Sequence, residues 1–436
     1  FRIKGDFSLN FMSQSERDVM KQVDAEILNA TPEFLERRFS SAARWYLSII
    51  SIFAYVVTKI AVTIAAGGIV FEGLMGIDFW TGAFLIVILT GVYTVLGGLK
   101  AVVYTETIQA IILLIGATAT LIYGLIAVGG WNQMVATAGP GFMNIWKPAT
   151  HPDFPWTGVV FGAPILGIWY WCTDQYIVQR VLSSKDESNA RKGALFAGYL
   201  KLLPVFIFFI PGVIAYALLQ EGAIDFSLDN ADQALPAMIN QFLPTGLKGL
   251  AIAGLLAALM SSLSSAFNSS STLLTIDFYL KYKPKASQKD LVRFGQFATV
   301  ILVLVSLGWI PFMKSLMGGG IFHYLQSVQA YISPPIAAVF LFGLFYKWIN
   351  AKGAIVSLWL GFIVGIFRLV AEFLSNEGTI VVAEDSLLGL FIGVNFLHFA
   401  LFLFLFCGSV LMLVSKLTLP QPIETLEMVT FKSRNL

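Results

Sequence analysis

Leu166-Gly-Ile-Trp-Tyr-Trp-Cys-Thr-Asp-Gln-Tyr-Ile-Val-Gln-Arg180 is too polar for lipid yet lies between apolar runs, which is the composition of a binding-site helix inside a membrane bundle. Just upstream stand Gly162, Pro164 and Gly167. A proline in a helix interior removes one backbone hydrogen bond and clashes with the carbonyl one turn earlier. The helix is expected to break or kink there. Freed backbone groups at membrane depth are tolerated beside a cavity or inside protein, which is how transporter sites are built. Gly167, Tyr170, Trp171 and Asp174 then follow at i, i+3, i+4 and i+7, a single helical face that combines aromatic platforms with a carboxylate. The competing reading is a membrane helix with an interfacial aromatic belt. A belt has no use for Asp174 and Gln175.

Working outward, hydrophobic residues make up 57% of the 436 and charged residues 12%, with a mean hydropathy of +0.77. That excludes an ordinary soluble domain and describes a polytopic membrane protein. The net charge of +2 carries no argument for nucleic acid, because in such a chain the distribution of charge matters and not its sum. The two cysteines, Cys172 and Cys407, both fall in apolar runs, and no zinc-ligand or redox pair occurs. No signal peptide is evident, and the chain starts at Phe1.

Residues 1–41 read as a charged cytoplasmic segment. In it Ser13 to Ala30 suits an amphipathic surface helix and Pro32 opens a second, short one. Ten apolar runs of spanning length follow, at 42–74, 79–98, 101–128, 157–180, 193–220, 246–275, 290–312, 320–346, 351–373 and 388–415. They place the membrane domain at 42–419, ahead of a cytoplasmic tail at 420–436. If every run crosses once, Arg37, Arg38, Arg44, Lys100, Lys185, Arg191, Lys192, Lys281, Lys283, Lys285, Lys347 and Lys352 gather on one side. The opposite loops are mostly acidic, with Glu221, Asp225, Asp229, Asp232, Glu377, Glu384 and Asp385. The positive-inside rule then makes both termini cytoplasmic. The compact loops suit a bacterial inner-membrane protein.

The sixth run sets Gly254, Ala258, Ser261, Ser262, Ser265 and Ser269 on one helical face, with Ser264 beside them. A small-residue stripe lets helices approach closely. Hydroxyls plus an accessible carbonyl also make an oxygen cage for a desolvated alkali cation. From spacing alone both readings stand. Ionisable groups inside runs are functional candidates because each is costly in hydrocarbon, and here they are Lys59, Glu106, Asp174, Lys201 and Arg368. Phe322, Gln326 and Gln329 share a face of the eighth run, a mixture of aromatic and amide that suits stacking on a sugar ring and bonding its hydroxyls. No catalytic motif is present, and three histidines in all leave little for an enzyme.

Four stretches carry a resemblance: Trp169 to Arg180, Gly198-Tyr-Leu-Lys-Leu-Leu-Pro204, Ala257 to Thr272, and Ser333-Pro-Pro-Ile-Ala-Ala-Val-Phe340. Together they resemble the solute:sodium symporter family, in the branch of the sodium/glucose, sodium/galactose and sodium/myo-inositol cotransporters. The resemblance runs from about Pro32 to Leu419. It implies a leucine-transporter-like fold of two inverted repeats. The runs at 42–128 would belong to repeat one, those at 157–346 to repeat two, and 351–415 would add two further helices. It implies that Ala258, Ser261 and Ser262 supply a sodium site, with Glu106, Ser264 and Ser265 matching a second one. Tyr170 matches an inner-gate tyrosine, and Trp171, Lys201, Phe322 and Gln326 match sugar-pocket positions.

The implied activity is sodium-coupled import of a neutral sugar or polyol. Sodium is the coupling ion, no cofactor is needed, and the lipid bilayer is the setting. Three departures stand out. The N-terminal core helices of the family have no counterpart in the chain. Glu106 replaces the usual aspartate, and Gly167 stands where relatives place a side chain toward the sugar. The rivals are a sodium symporter of the same fold for an organic acid, amino acid or vitamin, and a non-transporting sensor.

Overall fold

The computed structural model describes residues 31–182, 184–316, 320–383, 385–421 and 430. The expected surface helix at Ser13 to Ala30 and nearly all of the tail lie outside them. Among the described residues every regular element is a helix. Leaving aside the short turns Pro140–Met143 and Leu228–Gln233, they are in chain order α1 (Thr31–Arg38), α2 (Ser41–Met75), α3 (Phe79–Ala127), α4 (Trp131–Ala138), α5 (Trp156–Phe161), α6 (Ala163–Ile168) and α7 (Gln175–Leu182). There follow α8 (Glu187–Gln220), α9 (Ala234–Phe242), α10 (Thr245–Tyr282), α11 (Gln288–Leu316), α12 (Gly320–Phe345), α13 (Ala351–Asn376), α14 (Leu387–Gly393) and α15 (Phe396–Leu417).

Eight helices among the described residues are long and apolar enough to cross a membrane, so the protein is an integral, multi-pass membrane protein. Seven of the ten apolar runs each map onto one such helix, and the other three make two exceptions. The first is the pair at 79–98 and 101–128, which is one unbroken helix, α3, of 49 residues. At about 1.5 Å per residue it is roughly 74 Å long, well over twice a hydrocarbon core. The expected loop at Lys100 is absent, because the joining residues hold no proline and Gly97-Gly98 alone does not end a helix. The second is the run at 157–180, which is broken into pieces. The last run also starts late: Asn395 caps α15 by accepting from the Leu397 amide at 2.9 Å, which separates α14 from it.

The most enclosed helices are α2 and α12, each with 72% of its apolar window buried inside the protein. They sit in one continuous core with α13 and α15. Pro335 has no N–H, so the Tyr331 carbonyl one turn earlier loses its helical partner. α13 covers that carbonyl at Gly365, where any Cβ would strike it. α10 lies along α3, and the contact is equally close: a Cβ on Gly254 would stand 2.9 Å from the Leu113 Cα. The described residues just before α2 are anchored into the bundle. Arg38 is fully buried and donates to the carbonyls of Gly343 (2.8 Å), Tyr346 (3.0 Å) and Ile349 (2.9 Å), which cap the end of α12, and to the side chain of Gln421 (2.9 Å).

Candidate substrate and cation site

The run that opened the sequence reading breaks twice. The first break is at Gly162, between α5 and α6, as the Gly162-Pro164 pair leads one to expect. After α6 the chain widens into a π turn over Trp169–Thr173, closed by an i to i+5 bond from the Asp174 amide to the Trp169 carbonyl at 2.9 Å. Asp174 then leaves helical geometry (φ −78°, ψ 116°) before α7 begins. Single π turns recur at functional positions because they turn side chains out of helical phase. That corrects one expectation: Tyr170, Trp171 and Asp174 do not share a face. Trp171 is 45% exposed while Asp174 is 2% exposed.

Asp174 points instead at a second π turn, Tyr55–Ile60 in α2. Its carboxylate pairs with the Lys59 ammonium and accepts from the Tyr55 hydroxyl at 2.5 Å and the Tyr176 amide at 3.1 Å. The ammonium stands 3.8 Å from the ring centre of Tyr176, 4.9 Å from that of Tyr55 and 5.1 Å from that of Tyr170. The pair is buried, its carboxylate accepts from two further donors, and the π faces around the ammonium offset part of the cost of desolvation. It fixes the broken segment to α2 directly behind Tyr170. The sequence marked both charges as candidates, but nothing in their positions, 115 residues apart, pairs them.

On α10 the serine face divides its labour. Gly254 serves the close crossing with α3, whereas one turn and more further on the hydroxyls turn to Glu106. That carboxylate accepts from Ser261 at 3.0 Å and Ser265 at 2.8 Å. Arg180, at the end of α7, donates to both Glu106 oxygens, at 2.7 and 3.4 Å, and to the Ser265 hydroxyl. A guanidinium thus sits where three oxygens converge. Ser264 is not part of this cluster; it accepts from Thr94 at 2.9 Å. Ser262 lies within hydrogen-bonding reach of Tyr176, and Ala258 occupies the same face a turn earlier. Toward the far end of α7, Gln179 donates to Ser269 at 2.9 Å, while Gln175 Oε1 and Asn268 Nδ2 are buried without partners. The result is a polar seam between α7 and α10.

The remaining expected pocket residues fall into two groups. Tyr170 and Trp171 meet edge to face at 5.2 Å, and the exposed Lys201 lies 5.4 Å from the Trp171 ring centre. Phe322 and Gln326 share one face of α12, and Phe322 is 51% exposed and stacks toward Phe154 at 6.4 Å. α12 packs against the π turn that carries Tyr170 and Trp171. Sequence reasoning missed Tyr55, Tyr176 and Arg180 as members of the site. A signal existed for Arg180 alone, as a cation at the end of a run that also holds Asp174.

The bundle thus sets a broken, charge-bearing helix against a hydroxyl-rich one. The family follows directly: residues 27–361 match the sodium:solute symporter family model, and the chain belongs to that family. It is therefore a transporter-family protein and not an enzyme. Among curated relatives, the sodium/glucose cotransporter 1 of Ovis aries is 36% identical over 423 residues, which cover 89% of this chain and 64% of the relative. The sodium/mannose cotransporter of Bos taurus is 37% identical over 420 residues, covering 90% and 70%. The chain thus spans about two thirds of the length of the relatives it matches. A solved structure, described as the substrate-bound outward-open state of a Na+-coupled sialic acid symporter, superposes with a TM-score of 0.72 at 22% identity, covering 90% of this chain and 78% of that one. Its likeness establishes the leucine-transporter-like fold.

Proposed function

We propose that the chain works as a sodium-coupled secondary active symporter, importing a neutral sugar or polyol by alternating access. One observation carries the reading: beside the π turn that presents Tyr170 and Trp171, oxygens of Glu106 and Ser265 converge on a cationic group, the Arg180 guanidinium, with Ser261 donating to the same carboxylate. Membership of the family supports it, as do relatives named for glucose and mannose. In this reading the Ala258 carbonyl with the Ser261 and Ser262 hydroxyls holds sodium. The sugar lies against Trp171, Phe322 and Gln326 with Lys201 at its edge, and Tyr170 closes the inward path until sodium leaves. Inward movement of one sodium supplies about 2.3 kcal/mol per 100 mV before any concentration term. A second sodium at Glu106, Ser264 and Ser265 would have to displace Arg180 and turn Ser264 away from Thr94. The protein sits in the plasma membrane, in a bacterium the inner one, with both ends of this chain cytoplasmic.

The test is equilibrium binding of labelled glucose, galactose and myo-inositol to the full native protein, with sodium and with potassium. Sodium-dependent binding that weakens in Gln326→Ala and Phe322→Ala supports the reading; binding indifferent to sodium refutes it. One observation favours a second solute class: the Lys201 ammonium over Trp171 is a ready partner for a carboxylate. Acid binding lost in Lys201→Ala, with no sugar binding in the parent, would establish that alternative.

A further inference from the structure

Where α10 turns into α11, Lys281-Tyr-Lys-Pro-Lys285 is followed by Lys289 and Arg293, five cations against the single carboxylate of Asp290. Four arginines of the same side of the bundle are spent elsewhere: Arg37 and Arg191 on Glu33 and Glu187 one turn away, Arg44 on Glu36 and Asp277, and Arg38 inside the protein. Here Lys281 pairs with Glu36 at 3.2 Å, while Lys283, Lys285, Lys289 and Arg293 are exposed and form no ion pair among the described residues. Asp290 is engaged locally. Its carboxylate accepts from the Ser287 amide at 3.1 Å and hydroxyl at 2.7 Å, and its own amide donates back to that hydroxyl at 3.2 Å, a box that caps the start of α11.

The turn holds these charges on a fixed frame. Tyr279 stacks on Phe294 at 4.2 Å, Ser271 donates to the Gly295 carbonyl at 3.0 Å, and the Lys283 amide closes on the Tyr279 carbonyl at 2.8 Å, so the end of α10 is tied to the start of α11. Pro284 restrains the backbone between Lys283 and Lys285. Tyr279, Lys283, Pro284, Lys285, Ala286 and Asp290 line an open groove of about 540 Å³. An apolar stripe continues from it. On α11 Lys289 and Arg293 run at helical spacing into Phe297, Val300 and Leu304, each more than half exposed. From Phe297 to Leu304 is about 10 Å along the axis, most of the roughly 15 Å of hydrocarbon in one leaflet. Tyr282, 83% exposed, stands beside the lysines as an interfacial aromatic.

We propose that this turn and stripe dock an anionic phospholipid, its headgroup phosphate among the cations of the turn and its acyl chains along α11. Charge complementarity selects the headgroup: four or more Lys and Arg side chains at the end of a membrane helix form a surface for anionic lipid, and a zwitterionic headgroup brings its own ammonium into that positive field. Asp290 opposes the phosphate but is outnumbered, with both Lys283 and Arg293 acting on it. The exposed stripe selects a lipid over free phosphate, because acyl chains alone cover it. Through Ser271 and Tyr279 the lipid braces α10, the helix that carries Ser261 and Ser265, from outside the site.

The test is native mass spectrometry of the full native protein released from an uncharged detergent and titrated with dioleoylphosphatidylglycerol or dioleoylphosphatidylcholine. The first phosphatidylglycerol should bind about tenfold more tightly than the first phosphatidylcholine. Lys283→Gln, Lys285→Gln, Lys289→Gln and Arg293→Gln combined, all at exposed positions, should abolish that preference, whereas Lys347→Gln with Lys352→Gln in another basic turn should keep it. Glycerol 1-phosphate, the headgroup without its chains, should not displace the lipid at equal concentration. Equal affinity for the two lipids in the parent overturns the proposal. So does a preference that survives the fourfold variant, which would place the lipid elsewhere, and so does displacement by glycerol 1-phosphate, which would make the turn a site for free phosphate.

Discussion

Asp174→Asn isolates the charge in the pair that anchors the broken helix. Asparagine keeps the shape and an oxygen for the Tyr55 hydroxyl and the Tyr176 amide, so packing and neutral bonds survive. What goes is the counter-charge of Lys59, whose side chain is 9% exposed beside a carboxylate 1% exposed. Removing one partner of a buried pair costs about 3–5 kcal/mol, because the other charge stays buried and unmet. The rings of Tyr55, Tyr170 and Tyr176 remain within 5.1 Å of the ammonium and offset part of that, so the expected loss is about 2–4 kcal/mol. Reversible SDS unfolding in mixed micelles, followed by tryptophan fluorescence, measures it. Adding Lys59→Met removes the stranded charge, and the double variant should recover at least about 1.5 kcal/mol relative to Asp174→Asn. Additive losses, or a single variant within about 0.5 kcal/mol of the parent, would refute the claim that the pair holds this segment.

Other consequences are more local. Gly254→Val drives a side chain against the α3 backbone at Leu113 and should cost about 1–3 kcal/mol in the same unfolding assay. Glu106→Gln removes the charge facing Arg180; stability should fall by about 1–2 kcal/mol, discounted for the one-third exposure of that arginine, and the sodium concentration for half-maximal uptake should rise. Glu36, before the first span, gives a pH effect. Burial pushes its carboxyl up, but Arg44 and Lys281 outweigh burial and hold it below its ordinary value. The folded carboxyl therefore takes up a proton less readily than the unfolded one. Its contribution is present above the unfolded value and is lost as pH falls through the folded one. Glu36→Gln should flatten the acid limb of the stability curve between about pH 5 and 3.

The fold was legible where composition and periodicity speak for themselves. Spans such as Ala351–Asn376 and Phe396–Leu417 are read directly from apolar length, and the Ala257 to Thr272 stretch carried the family. The break at Gly162 was legible because glycine and proline have fixed backbone consequences. The π turn at Trp169–Thr173 was not, since it depends on the pairing of Asp174 with α2 and not on local propensity. The unbroken α3 was missed for the opposite reason: a lysine inside an apolar run looks like a loop when only the membrane is considered. Arg38 was legible only as one of the basic residues on the cytoplasmic side; the three carbonyls at the end of α12 that bury it are supplied by tertiary structure alone. Partners far apart in sequence, such as Arg180 with Glu106, carry no local signature at all.

The most direct test of the central claim is uptake of labelled glucose, galactose and myo-inositol into proteoliposomes holding the full native protein, with and without an inward sodium gradient, beside Ser262→Ala. Sodium-driven uptake of at least one of the three that is lost in the variant is the predicted result. Folded protein that moves none of them under a sodium gradient, or moves one equally well without sodium, would contradict it.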